Sequence, residues 1–228
     1  MKKLTSFDLK LIAIITMTID HIGYHIFPQV EVYRIIGRIC FPIIAFLIAE
    51  GYRHTSNLNK YISRLGLFAI IIQIALATTN TNFYNIFFTL TLGLILIHSI
   101  EQRQYSIIFP VIIVPFFIPV DYGYYGILTI VLMYYTKIWV SLAFLINNLV
   151  FIYILPKTFL HPSSMHEIQI YSLLALPLIF MYNGRQGKKM KYFFYVYYPL
   201  HIAVILLIKE YIYGWWSIIS RQTPWDDK

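Results

Sequence analysis

The chain is poor in charge and nearly devoid of cysteine. Only 12% of its 228 residues are Asp, Glu, Lys or Arg, against 59% that are hydrophobic. Soluble domains carry about 25% charged residues, so there is too little polar material here to cover a water-soluble globule of this size. The single cysteine, Cys40, excludes an intramolecular disulfide, and a small, weakly polar thiol reads first as a packing residue. Acidic residues are scarce as well, ten against eighteen basic ones. The net charge of +8 is not gathered on a soluble segment with base-reading elements, so no nucleic-acid partner is expected. There is no internal repeat and no low-complexity tract.

What the chain has instead is apolar sequence in runs of membrane-crossing length. A helical crossing takes about 20 mostly apolar residues. Nine candidates follow one another at 11–27, 35–52, 62–78, 84–100, 105–120, 124–136, 138–155, 168–182 and 192–213. The sixth is short and Pro110 and Pro115 interrupt the fifth, so eight or ten crossings also fit. The expected fold is all-α: a polytopic integral membrane helical bundle of about nine transmembrane helices with short loops. It forms one domain over 1–213, followed by a short interfacial, extracytoplasmic tail over 214–228 in which Trp215, Trp216 and Trp225 form an aromatic anchor. Lys2 and Lys3 ahead of the first run resemble the start of a signal peptide. No small-residue cleavage site follows, so an uncleaved first helix is expected.

Lys and Arg concentrate in cytoplasmic loops. With the N-terminus inside, the inner segments hold Lys2, Lys3, Lys10, Arg53, Lys60, Arg64, Arg103, Lys137, Arg185, Lys188, Lys189 and Lys191, twelve of the eighteen basic residues. The other six (Arg34, Arg38, Lys157, Lys209, Arg221 and Lys228) fall on the outer side. The expectation is a multi-pass protein of the bacterial cytoplasmic membrane, N-terminus inside and C-terminus outside. Anionic headgroups of membrane lipids are expected partners of the inner basic cluster.

Ionisable groups inside apolar spans are costly and mark function or buried pairs. The first such group is Asp20-His21 with His25. His21 and His25 share a helix face, whereas Asp20 points about 100° away from His21. A histidine here suits general base work because its ordinary pKa lies near neutrality; the alternative is a structural Asp–His pair. Arg34 and Arg38 share a face at the outer end of the second span, as anion-binding forks or, for Arg34, as a side chain reaching to the interface. Glu50, Arg53 and His54 lie at its inner end, where Glu50 and Arg53 also have the spacing of a surface ion pair. Asn85 and Gln73 face each other as interhelical glue. The block 182–201 carries a basic loop into an aromatic half-helix that ends at Pro199 and His201, and a mid-span histidine there can meet His21 in one polar cavity.

These residues resemble the TraX family, membrane proteins known for N-acetylating conjugative pilin subunits, within the wider group of transmembrane acyltransferases. The likeness is carried by Ile19-Asp20-His21-Ile22-Gly23, by 36–43, by Phe46 to Thr55, and by Asn59-Lys60-Tyr61. It continues through Arg64-Leu65, Phe68-Ala69, 85–93, Asp121-Tyr122-Gly123, Tyr182-Asn183-Gly184, 191–195 and 198–201. It implies acetyl transfer from cytoplasmic acetyl-CoA, as co-substrate, to an amine or hydroxyl of an exported peptide, pilin-like or glycan acceptor. The catalytic set it implies is His21, Asp20, Arg38, Glu50 and His201, lining one polar cavity. His21 is the base, Arg38 or a tyrosine steadies the oxyanion, and His201 is an alternative base or a positioning group. The acetyl-CoA set is Arg53, His54, Lys60, Arg64, Arg185, Lys188, Tyr195 and Tyr198, with cations matched to phosphates. No metal is expected, since His21-x-x-x-His25 lacks the intervening glutamate and a third ligand. A transporter or a non-catalytic accessory protein are the competing classes.

Overall fold

The structure, a computed structural model, describes residues 3–76, 84–135, 139–154, 167–190 and 193–222. Lys2, Lys137, Lys157, Lys191, Trp225 and Lys228 lie outside the described residues, as do the side chains of Trp215, Trp216 and Arg221. The all-helical class is found: among the described residues two isolated bridges, Leu4 with Tyr182 and Tyr84 with Val120, are the only β-type pairings.

Helix α1, Ser6–His25, starts five residues ahead of the first apolar run because Thr5 and Asp8 form a capping box. The Thr5 amide donates to Asp8 Oδ2 (2.8 Å) and the Asp8 amide to Thr5 Oγ1 (3.3 Å). The second run is broken into α2, Glu31–Gly37, and α3, Cys40–His54. Pro42 cannot donate a backbone hydrogen bond. The Arg38 carbonyl therefore loses its α-helical partner, and the chain resets with tightened bonds from the Arg38 amide to the Ile35 carbonyl and from the Ile39 amide to the Ile36 carbonyl. Then come α4 (Leu58–Leu76), α5 (Ile86–Glu101, capped by the Asn85 side chain), α6 (Tyr105–Phe117) and α7 (Gly123–Tyr135). Helix α8, Val140–Leu149, loosens into a π-helical turn, Val150–Ile154. A 3₁₀ segment, Glu167–Leu174, leads into α9, Ala175–Phe180. Helix α10, Phe193–Gln222, runs on through Gly214, so the expected tail boundary is not a break in the helix.

Among the described residues, three segments are long and apolar enough to cross a membrane: Glu31–His54 taken through its break, Leu58–Leu76 and Phe193–Gly214. Five further apolar stretches, among them Ile86–Glu101 and Tyr105–Phe117, are shorter. The core lies where α1, α3, α5 and α7 meet. It uses small residues to bring helix backbones close. Ala13, Ala45, Ala49 and Ala69 are wholly buried. Gly93 of α5 backs onto Ile130 of α7, and Gly126 backs onto Thr89 and Phe41. The outward faces are themselves apolar, with Phe109, Phe116 and Phe117 on or beside α6 and Leu207 and Tyr211 on α10.

A Cβ on Gly93 would stand 2.6 Å from Ile130 Cδ1 and 3.0 Å from its Cβ, whereas one on Gly66 would meet nothing within 4 Å. Gly93→Ala is expected to destabilise by roughly 1–3 kcal/mol through overpacking, with Gly66→Ala neutral or slightly stabilising. Thermal unfolding of the detergent-purified variants checks this, and equal shifts for the two would contradict the close α5–α7 packing.

Candidate functional site

The last turns of α1 are held by a buried charge cluster. Arg34 and Arg38, four residues apart, project from one side of the α2 region onto a single carboxylate. Arg34 Nη1 donates to Asp20 Oδ2 (2.5 Å) and Arg38 Nη2 to Asp20 Oδ1 (2.9 Å). Both arginines are buried, at 7% and 6% exposure, so Arg34 does not reach out to an interface. Its guanidinium also lies 5.0 Å over the Tyr24 ring. Asp20 fits because residue 37 is glycine: a Cβ there would fall 1.9 Å from Asp20 Oδ1.

Arg38 hands the network onward. Its Nη1 donates to Gln169 Oε1 (3.2 Å), and Gln169 Nε2 donates to the Tyr125 hydroxyl (3.1 Å). That hydroxyl meets Asn148 Oδ1 (3.3 Å) and Ser172 Oγ (3.2 Å). Gln169 was not foreseen. The signal was present in the polar Gln169 and Ser172 of a segment otherwise read as an apolar span.

Beside this cluster, the first and last helices meet through imidazoles. His21 Nδ1 lies 2.6 Å from His201 Nε2, with ring centroids 4.8 Å apart. His201 Nδ1 is 2.8 Å from the Tyr197 carbonyl, and its ring stacks on Tyr197 at 5.0 Å and 5°. Tyr197 is itself fixed to α1 by a 2.6 Å hydroxyl contact with Thr18. Asp20 and His21, adjacent in sequence, thus serve different partners, as their 100° separation requires.

A cavity of about 970 Å³ connects this region to the opposite end of α1. Ser6 and His21 both line it and stand fifteen residues apart on one helix, about 22 Å at 1.5 Å per residue. Asp20, His21, Cys40, Asp121, Tyr122 and Tyr198 line one end. Lys10, His54, Lys60, Arg64 and Lys189 line the other, and His54, Lys60 and Lys189 are exposed there. Chain ends converge at this rim: the Ser6 amide donates to the Arg185 carbonyl (2.8 Å), and Arg64 Nε donates to the Tyr195 hydroxyl (3.0 Å). Tyr195 is buried and Arg64 sits over both its ring and that of Tyr61.

Of the residues expected to hold acetyl-CoA, His54, Lys60, Arg64, Tyr195 and Tyr198 line the cavity, while Arg53, Arg185 and Lys188 do not. Arg53 pairs with Glu50, reaches the Met133 and Tyr134 carbonyls and lies over the Tyr134 ring at 4.8 Å. Lys188 lies 5.9 Å over Phe7. Lys10 and Lys189 complete the rim in their place. Of the expected catalytic residues, Asp20, His21 and Glu50 line the cavity, whereas Arg38 and His201 stand behind its wall. The expectation of one chamber lined by His21, Arg38, Glu50 and His201 is therefore corrected. Glu50 lies ten residues along α3 from Cys40, about 15 Å, and its i, i+3 partner Arg53 holds it at the rim end.

Asp121 and Tyr122, not picked out as site residues, line the His21 end. Tyr122 stacks on Phe41 at 4.1 Å and adopts φ 60°, an uncommon conformation for a bulky residue and one that clusters at functional positions. Their sequence signal was the Asp121-Tyr122-Gly123 motif.

The family model described as TraX protein matches residues 6–209, a stretch that holds every residue of the cavity wall. The chain belongs to the TraX family. Over 91% of its length and 97% of the relative's, it is 28% identical to a probable fimbrial assembly protein, FimC of serogroup H1, from Dichelobacter nodosus. It is 41% identical over 66 residues to an uncharacterised protein of Rickettsia prowazekii, a match that covers 29% of this chain and 25% of that one. No solved structure matches it.

Removing one partner of a buried ion cluster leaves uncompensated charge, at a cost of about 3–5 kcal/mol, whereas replacing the whole cluster with apolar residues is often neutral or stabilising. Asp20→Ala is therefore expected to lower the unfolding midpoint sharply. Asp20→Leu combined with Arg34→Met and Arg38→Met should restore most of it. A single variant as stable as the parent would show that the cluster does not hold α1 to α2.

Proposed function

We propose that this TraX family member is a membrane-embedded acetyltransferase. In this reading it moves an acetyl group from cytoplasmic acetyl-CoA to an amine or hydroxyl of a membrane-associated or exported acceptor. The observation that carries the reading is the elongated cavity joining an exposed cationic rim to the wall that holds His21. Lys60, Arg64 and Lys189 suit the phosphates of the donor, and the long channel suits its extended thiol arm.

At the His21 end of the cavity one histidine of the pair takes the proton as the acceptor nitrogen or oxygen bonds to the thioester carbonyl carbon. The carbon–sulfur bond then breaks, the acetyl group stays on the acceptor, and the coenzyme leaves as the thiol by taking up that proton. Charge on the carbonyl oxygen needs preorganised donors. Arg38 is committed to Asp20, Gln169 and the Arg34 carbonyl, so the hydroxyls of Tyr122 and Tyr198 are assigned this task. A pilin-like peptide is the favoured acceptor, by analogy with the name of the fimbrial assembly relative. The polypeptide is read as crossing the cytoplasmic membrane nine times, with α2 and α3 as one crossing, α8 and its π turn as another, and the 3₁₀ segment with α9 as a third. The rim then faces the cytoplasm, where acetyl-CoA is found.

Purified protein in lipid nanodiscs is expected to consume acetyl-CoA when given envelope peptides. His21→Ala should lower kcat by about 10²–10⁴-fold, the range for a lost general base. Lys60→Glu with Arg64→Glu should instead raise KM for acetyl-CoA roughly tenfold, as for about 1.4 kcal/mol of binding. Solute flux without acetyl-CoA consumption would favour a transporter, and parental rates in His21→Ala would remove the assigned base.

For topology, single cysteines in a Cys40→Ser background are the measure. In intact cells an impermeant maleimide should label Gln29→Cys and not Lys189→Cys. The reverse pattern would overturn the orientation.

A further inference from the structure

We infer that His21 is the base, acting through Nε2, and that His201 is a positioning residue that fixes the tautomer His21 needs for it. The inference rests on the acetyl-transfer reading for its chemistry, but its geometry is independent of it.

The argument follows the protons. A neutral imidazole carries one N–H and one bare nitrogen, so each ring can donate at only one position. His201 Nδ1 lies 2.8 Å from the Tyr197 carbonyl oxygen, which can only accept. The proton of His201 is therefore on Nδ1, and its Nε2 is bare. That bare nitrogen faces His21 Nδ1 at 2.6 Å. A hydrogen bond needs a proton between them, so His21 must carry its own on Nδ1. His21 Nε2 is left as the free lone pair of the dyad. It makes no hydrogen bond among the described residues, and His21 lines the cavity whereas His201 does not. The only basic nitrogen of the pair presented to a substrate is His21 Nε2.

The scaffold around His201 is built to keep that arrangement. Its ring is buried at 5% exposure, is clamped flat on Tyr197 and meets Tyr198 edge-on at 5.8 Å. Tyr197 is tied to Thr18, one turn before His21 on the same helix. The groups around His21 are His25 on α1, Asp20 with its two arginines from the α2 region, and the tyrosines of α10. Asp20 is already occupied by Arg34 and Arg38, so His201 is the group that orients the ring. When His21 Nε2 accepts the acceptor's proton, the Nδ1 proton can shift to His201 Nε2. His21 is then neutral again, and His201 carries the charge with both of its N–H groups bonded. Reversal of that shift returns the proton to the departing sulfur.

The test is ¹⁵N-histidine NMR combined with kinetics on the full-length protein in nanodiscs. The seven histidines are assigned by single substitutions. In the parent, His21 and His201 should both appear as the Nδ1–H tautomer. His201→Gln places an amide oxygen where Nε2 stood. It should keep His21 as Nδ1–H and hold kcat within about tenfold of the parent, while His201→Ala should lose roughly 10²-fold in kcat and leave KM for acetyl-CoA within about twofold. His21→Gln should show no such rescue. An Nε2–H tautomer at His21 in the parent, or parental kcat in His201→Ala, would overturn the assignment. If His201→Ala does not fold, the parent and His201→Gln spectra still decide it. Absence of acetyl-CoA turnover in the parent would defeat the acetyl-transfer reading instead, and the parent spectrum would then decide the tautomer by itself.

Discussion

The arrangement depends on one carboxylate clamped between two buried arginines. Asp20 takes a guanidinium on each oxygen, and in doing so it fixes the last turn and a half of α1 against the break between α2 and α3. A carboxylate in apolar surroundings is unfavourable unless paired and fully hydrogen-bonded. The cluster is therefore a strict constraint, and few placements of the three helices satisfy it. Gly37 is the geometric condition for it, since any side chain at that position would occupy the space of Asp20 Oδ1. Pro42 supplies the break that lets Arg34 and Arg38 approach from a short helix instead of a continuous one.

Once Asp20 is committed, the orientation of its neighbour follows. On an α-helix consecutive residues diverge by about 100°, so with Asp20 turned to α2, His21 turns to α10. There it meets His201, itself steadied through Tyr197 and Thr18. The same arginine that closes the clamp extends it through Gln169 to Tyr125, Asn148 and Ser172, so the charge cluster and the buried polar network of α7, α8 and the 3₁₀ segment form one continuous chain of hydrogen bonds. Fully satisfied networks of this kind specify a unique packing more than they add stability.

Much of this was legible in the sequence, and the illegible parts share a cause. Apolar runs marked the helices, and mid-span ionisable residues marked Asp20, His21, Arg38 and His201, because such groups are too costly to keep without a partner. Helix spacing showed that Arg34 and Arg38 share a face, but not that both converge on Asp20. That depends on how α1 and α2 pack, which no local period records. Glu50 and Arg53 illustrate the opposite case. Their i, i+3 spacing allowed a local ion pair, and that pair holds Glu50 at the rim end of the cavity, about 15 Å along α3 from Cys40. Gln169 and Asp121 were missed as site residues because each is an isolated polar residue at the edge of an apolar stretch, where a loop or interface is the simpler reading. The 3₁₀ and π segments were invisible for a related reason. Tighter or looser coiling leaves hydropathy unchanged.

The clamp also bears on the chemistry proposed for the cavity. Asp20, Arg34 and Arg38 together carry one net positive charge, and Asp121 stands as a second carboxylate at the same end of the cavity. In surroundings of low dielectric these charges act over a longer range than they would in water. The reaction proposed there therefore takes its oxyanion donors from the hydroxyls of Tyr122 or Tyr198, preorganised groups at that end. The proton moves the other way. Passing it from His21 to His201 carries the positive charge off the cavity wall and onto a ring whose Nδ1–H already has the Tyr197 carbonyl as its acceptor. In the proposed reaction, a single salt-bridged carboxylate thereby both fixes the helices and turns the base toward its positioning partner.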